Sequence, residues 1–207
     1  MRKPIIFLAL LSASLMSGVF AKADTNCNGW GSTNIVQNCG FETGTFSSWT
    51  GTATTDTIFN YVDSGDPLAI GTTPYQGSYE AALGSLGSTE VLSQSLTTVA
   101  GQTYTIQFAL LNDTTPVNPY TDSFMAAFGS DDLLSLSNVA ADGYTLYTYT
   151  ATATSASTVL SFTEENDEGD FELDSVSVAA TPEPSSFALL GSGLLGLAGV
   201  ARRRFRR

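Results

Sequence analysis

The chain has 207 residues, with 20 acidic side chains, 8 basic ones, no histidine and a formal net charge of −12. None of the basic residues and nineteen of the acidic ones lie within 24–181, so the central stretch is purely acidic. A surface of that sign repels nucleic acid and anionic lipid, which argues against both as partners of this stretch. It gathers cations instead, divalent ones above all, although the same acidity also serves plain solubility.

Residues 1–23 have the parts of a secretory signal. Arg2 and Lys3 form a basic n-region, residues 5–11 with the small residues after them an apolar h-region, and Ala21-Lys22-Ala23 an Ala-x-Ala cleavage site. The mature chain is predicted to begin at Asp24 after export by the Sec machinery; an uncleaved anchor is the alternative. Cys27 and Cys39 are the only cysteines. In an oxidising compartment they are predicted to pair, closing a loop of about 13 residues and stabilising by on the order of 3 kcal/mol in the chain-entropy model. The bridge would pin the N-terminal segment, Trp30 included, to the first strand. A spacing other than Cys-x-x-Cys and the lack of histidine argue against a redox or metal role.

Residues 24–180 are rich in Thr, Ser, Gly, Tyr and Phe and carry almost no helical periodicity. They are long enough for one domain with its own core. Short runs alternate apolar and polar residues between turn signals, which predicts strands over 35–37, 79–83, 91–96, 104–110, 124–128, 144–150, 158–163 and 171–178. The run 104–110 is the clearest, with Tyr104, Ile106, Phe108 and Leu110 on one face. Ala100-Gly101 and Asp167-Glu168-Gly169-Asp170 read as turns between neighbours. About eight strands close most simply as an all-β, two-sheet jelly-roll sandwich.

The acids Glu164, Glu165, Asp167, Glu168 and Asp170 are predicted to sit in an exposed hairpin loop, a solvated turn. They fail the EF-hand template, since Ser175 stands at the twelfth position counted from Glu164. Catalysis has little to stand on. Residues 24–181 have no His, Lys or Arg to act as a base or cationic clamp, and no Gly-x-Ser-x-Gly elbow occurs. The expectation is a protein that is not an enzyme; an acidic-pair glycoside hydrolase is the runner-up.

The stretch Asn34-Ile-Val-Gln-Asn-Cys-Gly-Phe-Glu-Thr-Gly44, followed by Phe46-Ser-Ser-Trp49, resembles the opening strand and turn of galactose-binding-like jelly rolls, a group that includes many carbohydrate-binding modules. Phe171-Glu-Leu-Asp174-Ser-Val176 is similar to the last strand of that family, and 94–108 fits its middle. The resemblance implies a structural Ca²⁺ where first and last strands meet, with Glu42 and Asp174 as ligands, a donor set of hard oxygens that suits calcium. Cys39 stands where that family usually has Gly, and Ser175 where it often has a second Asp. Sugar sites need exposed aromatic faces beside fixed polar groups. Tyr75 and Tyr120, each next to a proline in a loop, are the candidates, while Trp49 is expected in the core.

Residues 181–207 join three devices in order. Pro182-Glu183-Pro184 interrupts regular structure. An apolar segment of about 15 residues, roughly 22 Å as a helix, follows, and a cluster of arginines ends the chain. With Ser185 and Ser186 added and the arginines snorkelling, a transmembrane helix over about 185–201 becomes feasible, its basic end in the cytoplasm. Gly191-Ser-Gly193-Leu-Leu-Gly196 matches the dinucleotide fingerprint letter by letter but lacks the βαβ context that motif requires.

The tripartite tail resembles the PEP-CTERM sorting signal of Gram-negative bacteria. That resemblance implies processing by an exosortase, a transient inner-membrane anchor, and delivery to the outer surface or exopolysaccharide matrix. The expected role is a structural or glycan-associated matrix component. A dedicated carbohydrate-binding module is the alternative, as is a plain single-span anchor for the tail.

Overall fold

The computed structural model describes residues 33–65, 73–113, 122–167 and 169–182. The predicted signal peptide, Cys27, Trp30, Tyr120, Glu168, Glu183, Pro184 and the predicted helix over 185–201 lie outside the described residues. No helix among the described residues is long and apolar enough to cross a membrane.

Nine strands form in chain order: β1 (Asn60–Asp63), β2 (Glu80–Leu83), β3 (Glu90–Thr97), β4 (Thr103–Asn112), β5 (Asp122–Phe128), β6 (Asp131–Ser137), β7 (Asp142–Thr152), β8 (Ser157–Asn166) and β9 (Phe171–Ala180). They make two antiparallel sheets, a five-stranded one in the order β1-β2-β9-β4-β7 and a four-stranded one in the order β3-β8-β5-β6. This is the all-β jelly-roll sandwich that the alternating pattern predicts. The core between the sheets is aromatic. Phe108 meets Phe162 edge-on at 5.2 Å, and Phe124 meets Phe171 at 5.2 Å. Tyr104, Ile106, Phe108 and Leu110 are all buried on β4, as the two-residue period of a strand requires.

Three local readings of the sequence are corrected. Residues 35–37 are not a strand. Asn34 makes an isolated bridge to Ala179, and the Ile35 N–H donates to Val178 O at 2.9 Å. On the other side the Gln94 side chain takes the Gln37 N–H at 2.8 Å and donates to Gln37 O at 2.9 Å. A glutamine on β3 thus replaces the ladder, so the opening segment bonds to both sheets without joining either as a strand. Strands β1 and β6 were absent from the sequence pattern, because Asn60-Tyr-Val-Asp63 is very short and Asp131–Ser137 lies exposed along an edge.

The acidic turn is the third correction. Glu164 and Glu165 belong to β8, where Glu164 is completely buried, and Asp170 is half-buried just before β9. Since β8 and β9 lie in different sheets, the 167–170 connection crosses between sheets rather than closing a hairpin. The Ala100-Gly101 turn likewise carries β3 over to β4 in the other sheet.

The opening turn is built on Asn38. Its backbone is left-handed (φ 48°), a region that Asn tolerates. Its side-chain amide donates to Thr45 O and Ser47 O at 2.8 and 3.0 Å, and its backbone carbonyl accepts from the Trp49 indole at 3.1 Å. Trp49 is buried, stacked on Phe41 at 5.5 Å.

Candidate functional site

Along β9, Phe171 and Leu173 point into the core, so Glu172 and Asp174 stand on the outer face of the five-stranded sheet. Ser175 then adopts φ 53°, and β9 holds one extra residue against β4, between the Gln107↔Ser177 and Ala109↔Asp174 pairs. This bulge swaps the alternation, so that Val176 and Val178 continue the core.

The outer face around β9 is covered, although the sheet ends there in acids. Glu80 on β2, Glu172 and Asp174 each have 0% exposure. Their strand neighbours are small or apolar: Ala82 and Leu111 flank Glu172, and Ala109 flanks Asp174. Asp63 on β1 pairs with Glu80. Tyrosines rim the acids. The Tyr144 hydroxyl donates to Glu80 Oε2, and the Tyr61 hydroxyl to Asp170 Oδ2 at 3.3 Å. The Tyr144 ring lies 5.5 Å from that of Tyr75, tilted by 59°, and Tyr75 is 37% exposed.

Crowding acids out of water shifts their titration. Burial, with Glu80, Asp170, Asp63 and Asp113 around it, pushes Glu172 up to about 10. Asp174 rises to about 7, again chiefly by burial, against the lowering effect of the Gln76 and Ser175 N–H groups. Burial and the neighbouring Glu80 raise the Tyr144 hydroxyl as well. A second buried acid lies apart from this group. Glu164 rises to about 7 through burial, opposed by hydrogen bonds from Ser85 and reinforced by Glu90 and Asp170.

The two acids singled out as calcium ligands both border Gly40. A methyl group placed on Gly40 would lie 3.5 Å from Asp174 Oδ1 and 4.0 Å from Glu42 Oε1. Both carboxylates hold the loop before β2. Glu42 Oε1 accepts from the N–H groups of Ser78 and Tyr79 at 2.7 and 3.2 Å, and Asp174 Oδ2 accepts from Gln76 at 2.8 Å. Gly77 is required there, because its φ is 77° and a Cβ would fall 1.9 Å from Glu42 Oε1.

Of the aromatic candidates, Tyr75 stands at the rim, while Tyr120 lies outside the described residues. Cys39 is fully buried, no free cysteine occurs among the described residues, and Cys27 lies outside them. Pro182 is exposed just past β9; Glu183 and Pro184 lie beyond the described residues.

Sequence reasoning passed over Glu80, Asp113 and Glu172. Glu172 was readable, since it alternates with Phe171 and Leu173 and so shares a face with Asp174. Glu80, in Tyr-Glu-Ala-Ala-Leu, carries no such signal. A different cleft, of about 330 Å³, runs beside β3 and is lined by Ile35, Gln37, Ser48, Thr50, Gln94 and Leu96 among others.

Residues 180–207 match the model of the PEP-CTERM protein-sorting motif. The chain thus carries that motif where the Pro-Glu-Pro, apolar and arginine segments follow one another. No curated protein matches the chain. Among solved structures, the chain is similar to TmCBM61 in complex with β-1,4-galactotriose, at 20% identity over 72% of this chain and 99% of that one, with a TM-score of 0.49. It is also similar to the family 16 carbohydrate-binding module-2, at 17% identity over 70% and 99% with a TM-score of 0.48. A third is the CBM22-1 xylan-binding domain from Paenibacillus barcinonensis Xyn10C, at 14% identity over 70% and 93% with a TM-score of 0.46.

Proposed function

We propose that this is an exported, non-enzymatic protein whose tail is processed by an exosortase and whose sandwich serves as a glycan-associated component of the cell surface or exopolysaccharide matrix. The observation that carries the export reading is the sorting motif over 180–207. The signal-like residues 1–23 supply the other end of that route, with the inner membrane as a transient stop before the surface of a Gram-negative bacterium.

The glycan reading is supported by the rim of the acidic face. Tyr75 offers an exposed ring braced by Tyr144, and a sugar stacks on such a ring while its hydroxyls meet fixed polar groups beside it. A domain without a basic residue suits neutral glycans rather than polyanionic ones. Applied to a glycan array, the full chain is expected to bind a neutral glycan saturably. Tyr75→Ala should weaken that binding about tenfold, the scale of one lost stacking contact. Silence across the array would overturn the glycan reading and leave the sorting reading standing.

One observation favours a second reading as a glycoside hydrolase. Glu172 and Asp174 are neighbouring carboxyl groups with unequal upward shifts, the pattern that separates an acid from a base. Against it, both are wholly buried. Turnover of any glycan on that array, abolished by Glu172→Gln, would establish it.

A further inference from the structure

The end of β4 and the start of β9 bring three carboxylates together. Asp113, Asp170 and Glu172 each place an oxygen within 4.8 Å of the oxygens of the other two. Backbone geometry holds them there. The Asp170 N–H donates to Asp113 Oδ1 at 2.6 Å and the Asp113 N–H to Asp170 O at 3.1 Å, next to the Asn112↔Phe171 pair. Gly84 leaves the space open, since a Cβ there would fall 1.9 Å from Asp170 Oδ1 and 2.7 Å from Gly169 O.

A cluster of acids is common on protein surfaces, and Glu172 is what makes this one different. It has 0% exposure, and neither of its carboxylate oxygens has a hydrogen-bond partner. Buried carboxylates are ordinarily paired or bound to metal, because an isolated one loses its hydration with nothing in return. Here no internal cation can compensate: residues 24–181 contain no Lys, Arg or His. Compensation has to come from solution, as a proton or as a metal cation that displaces it.

We infer that Asp113, Asp170 and Glu172 form a site for a hard divalent cation of the calcium type, on the outer face of the five-stranded sheet where β4 ends and β9 begins. The donor set decides the class of ion. Three carboxylates without imidazole or thiolate suit calcium, and the half-buried positions of Asp113 and Asp170 leave room for water to complete a shell of six to eight oxygens. Zinc and copper prefer the nitrogen and sulfur ligands that this cluster lacks. The site is distinct from the Glu42–Asp174 pair, whose oxygens accept backbone N–H groups. A bound ion would clamp the end of β4 to the start of β9.

The test is calorimetric titration of the full chain, stripped with chelator, with calcium chloride at constant ionic strength. One saturable site is expected, weakened at least tenfold by Asp113→Asn and by Glu172→Gln. Asp113→Asn removes charge but keeps the oxygen that accepts from Asp170, so it answers the question even if Glu172→Gln misfolds. Asp131→Asn, on β6 of the other sheet, removes the same unit of charge and should leave the affinity unchanged. Failure to saturate at millimolar calcium would overturn the proposal. So would wild-type affinity in Asp113→Asn, or an equal loss in Asp131→Asn, which would mean diffuse screening. A loss confined to Glu42→Gln would move the site to the opening turn and overturn this one.

Discussion

Glu164 shows how a single residue departs from its surroundings in sequence. It sits among Glu165, Asp167 and Glu168, a run that reads as solvated, yet the β8 register turns its side chain inward opposite Glu90 and Phe124. Its carboxylate keeps the Ser85 N–H at 3.2 Å, and burial still raises its titration to about 7. The sign of the linkage follows from that rise. Between its ordinary value of 4.5 and about 7 the folded chain holds a proton that the unfolded chain has lost, so stability falls as pH rises through that window. A shift of this size corresponds to about 3 kcal/mol. Urea unfolding in the presence of chelator should therefore show stability declining from pH 4.5 to 7. Glu164→Gln should flatten that decline by about 2–3 kcal/mol. An unchanged slope in the variant would mean that Glu164 titrates normally.

At the scale of elements, the β9 bulge governs both faces of the five-stranded sheet. Without the extra residue at Ser175, Asp174 and Val176 would share a face, and either the core or the acidic row would be broken. The position carries a cost, because Ser175 is held at φ 53°. A β-branched side chain tolerates that region poorly, so Ser175→Val is expected to destabilise by about 1–3 kcal/mol in urea unfolding, whereas Ser175→Gly should come close to wild type. Equal stability of both variants would remove the bulge from this account. The opening segment is the other element that pattern alone misassigns. Residues 35–37 alternate like a strand, but their partners are the Gln94 side chain and β9, contacts that join positions 57 or more residues apart.

For the whole molecule, the charge separation between the acidic sandwich and its basic ends fits a precursor whose ends act in transit. Intact-mass measurement of the protein recovered from its host is expected to give Asp24 as the first residue and to show loss of the arginine cluster. The same sample, treated with a thiol reagent in denaturant without reductant, should take up no label if Cys27 and Cys39 are bridged. A mature pool that retains Arg207 would refute the processing step, and quantitative labelling of both cysteines would refute the bridge.

The sequence by itself determined the sandwich and the sorting motif. Strand alternation in 104–110 and 171–178 has a two-residue period, set by neighbours along the chain, and the Pro-Glu-Pro, apolar and arginine segments are contiguous. It also brought Glu42 and Asp174 to notice, since they belong to the two ends of the domain that resemble known strands. Only the tertiary structure decided which acids leave water. Glu80, Asp113 and Glu172 come together because β2, β9 and β4 are neighbours in one sheet, although their positions span residues 80 to 172. Burial of the outer face depends on what folds over it. No local pattern encodes that, because the same carboxylate is harmless in water and costly once its strand neighbours shut the water out.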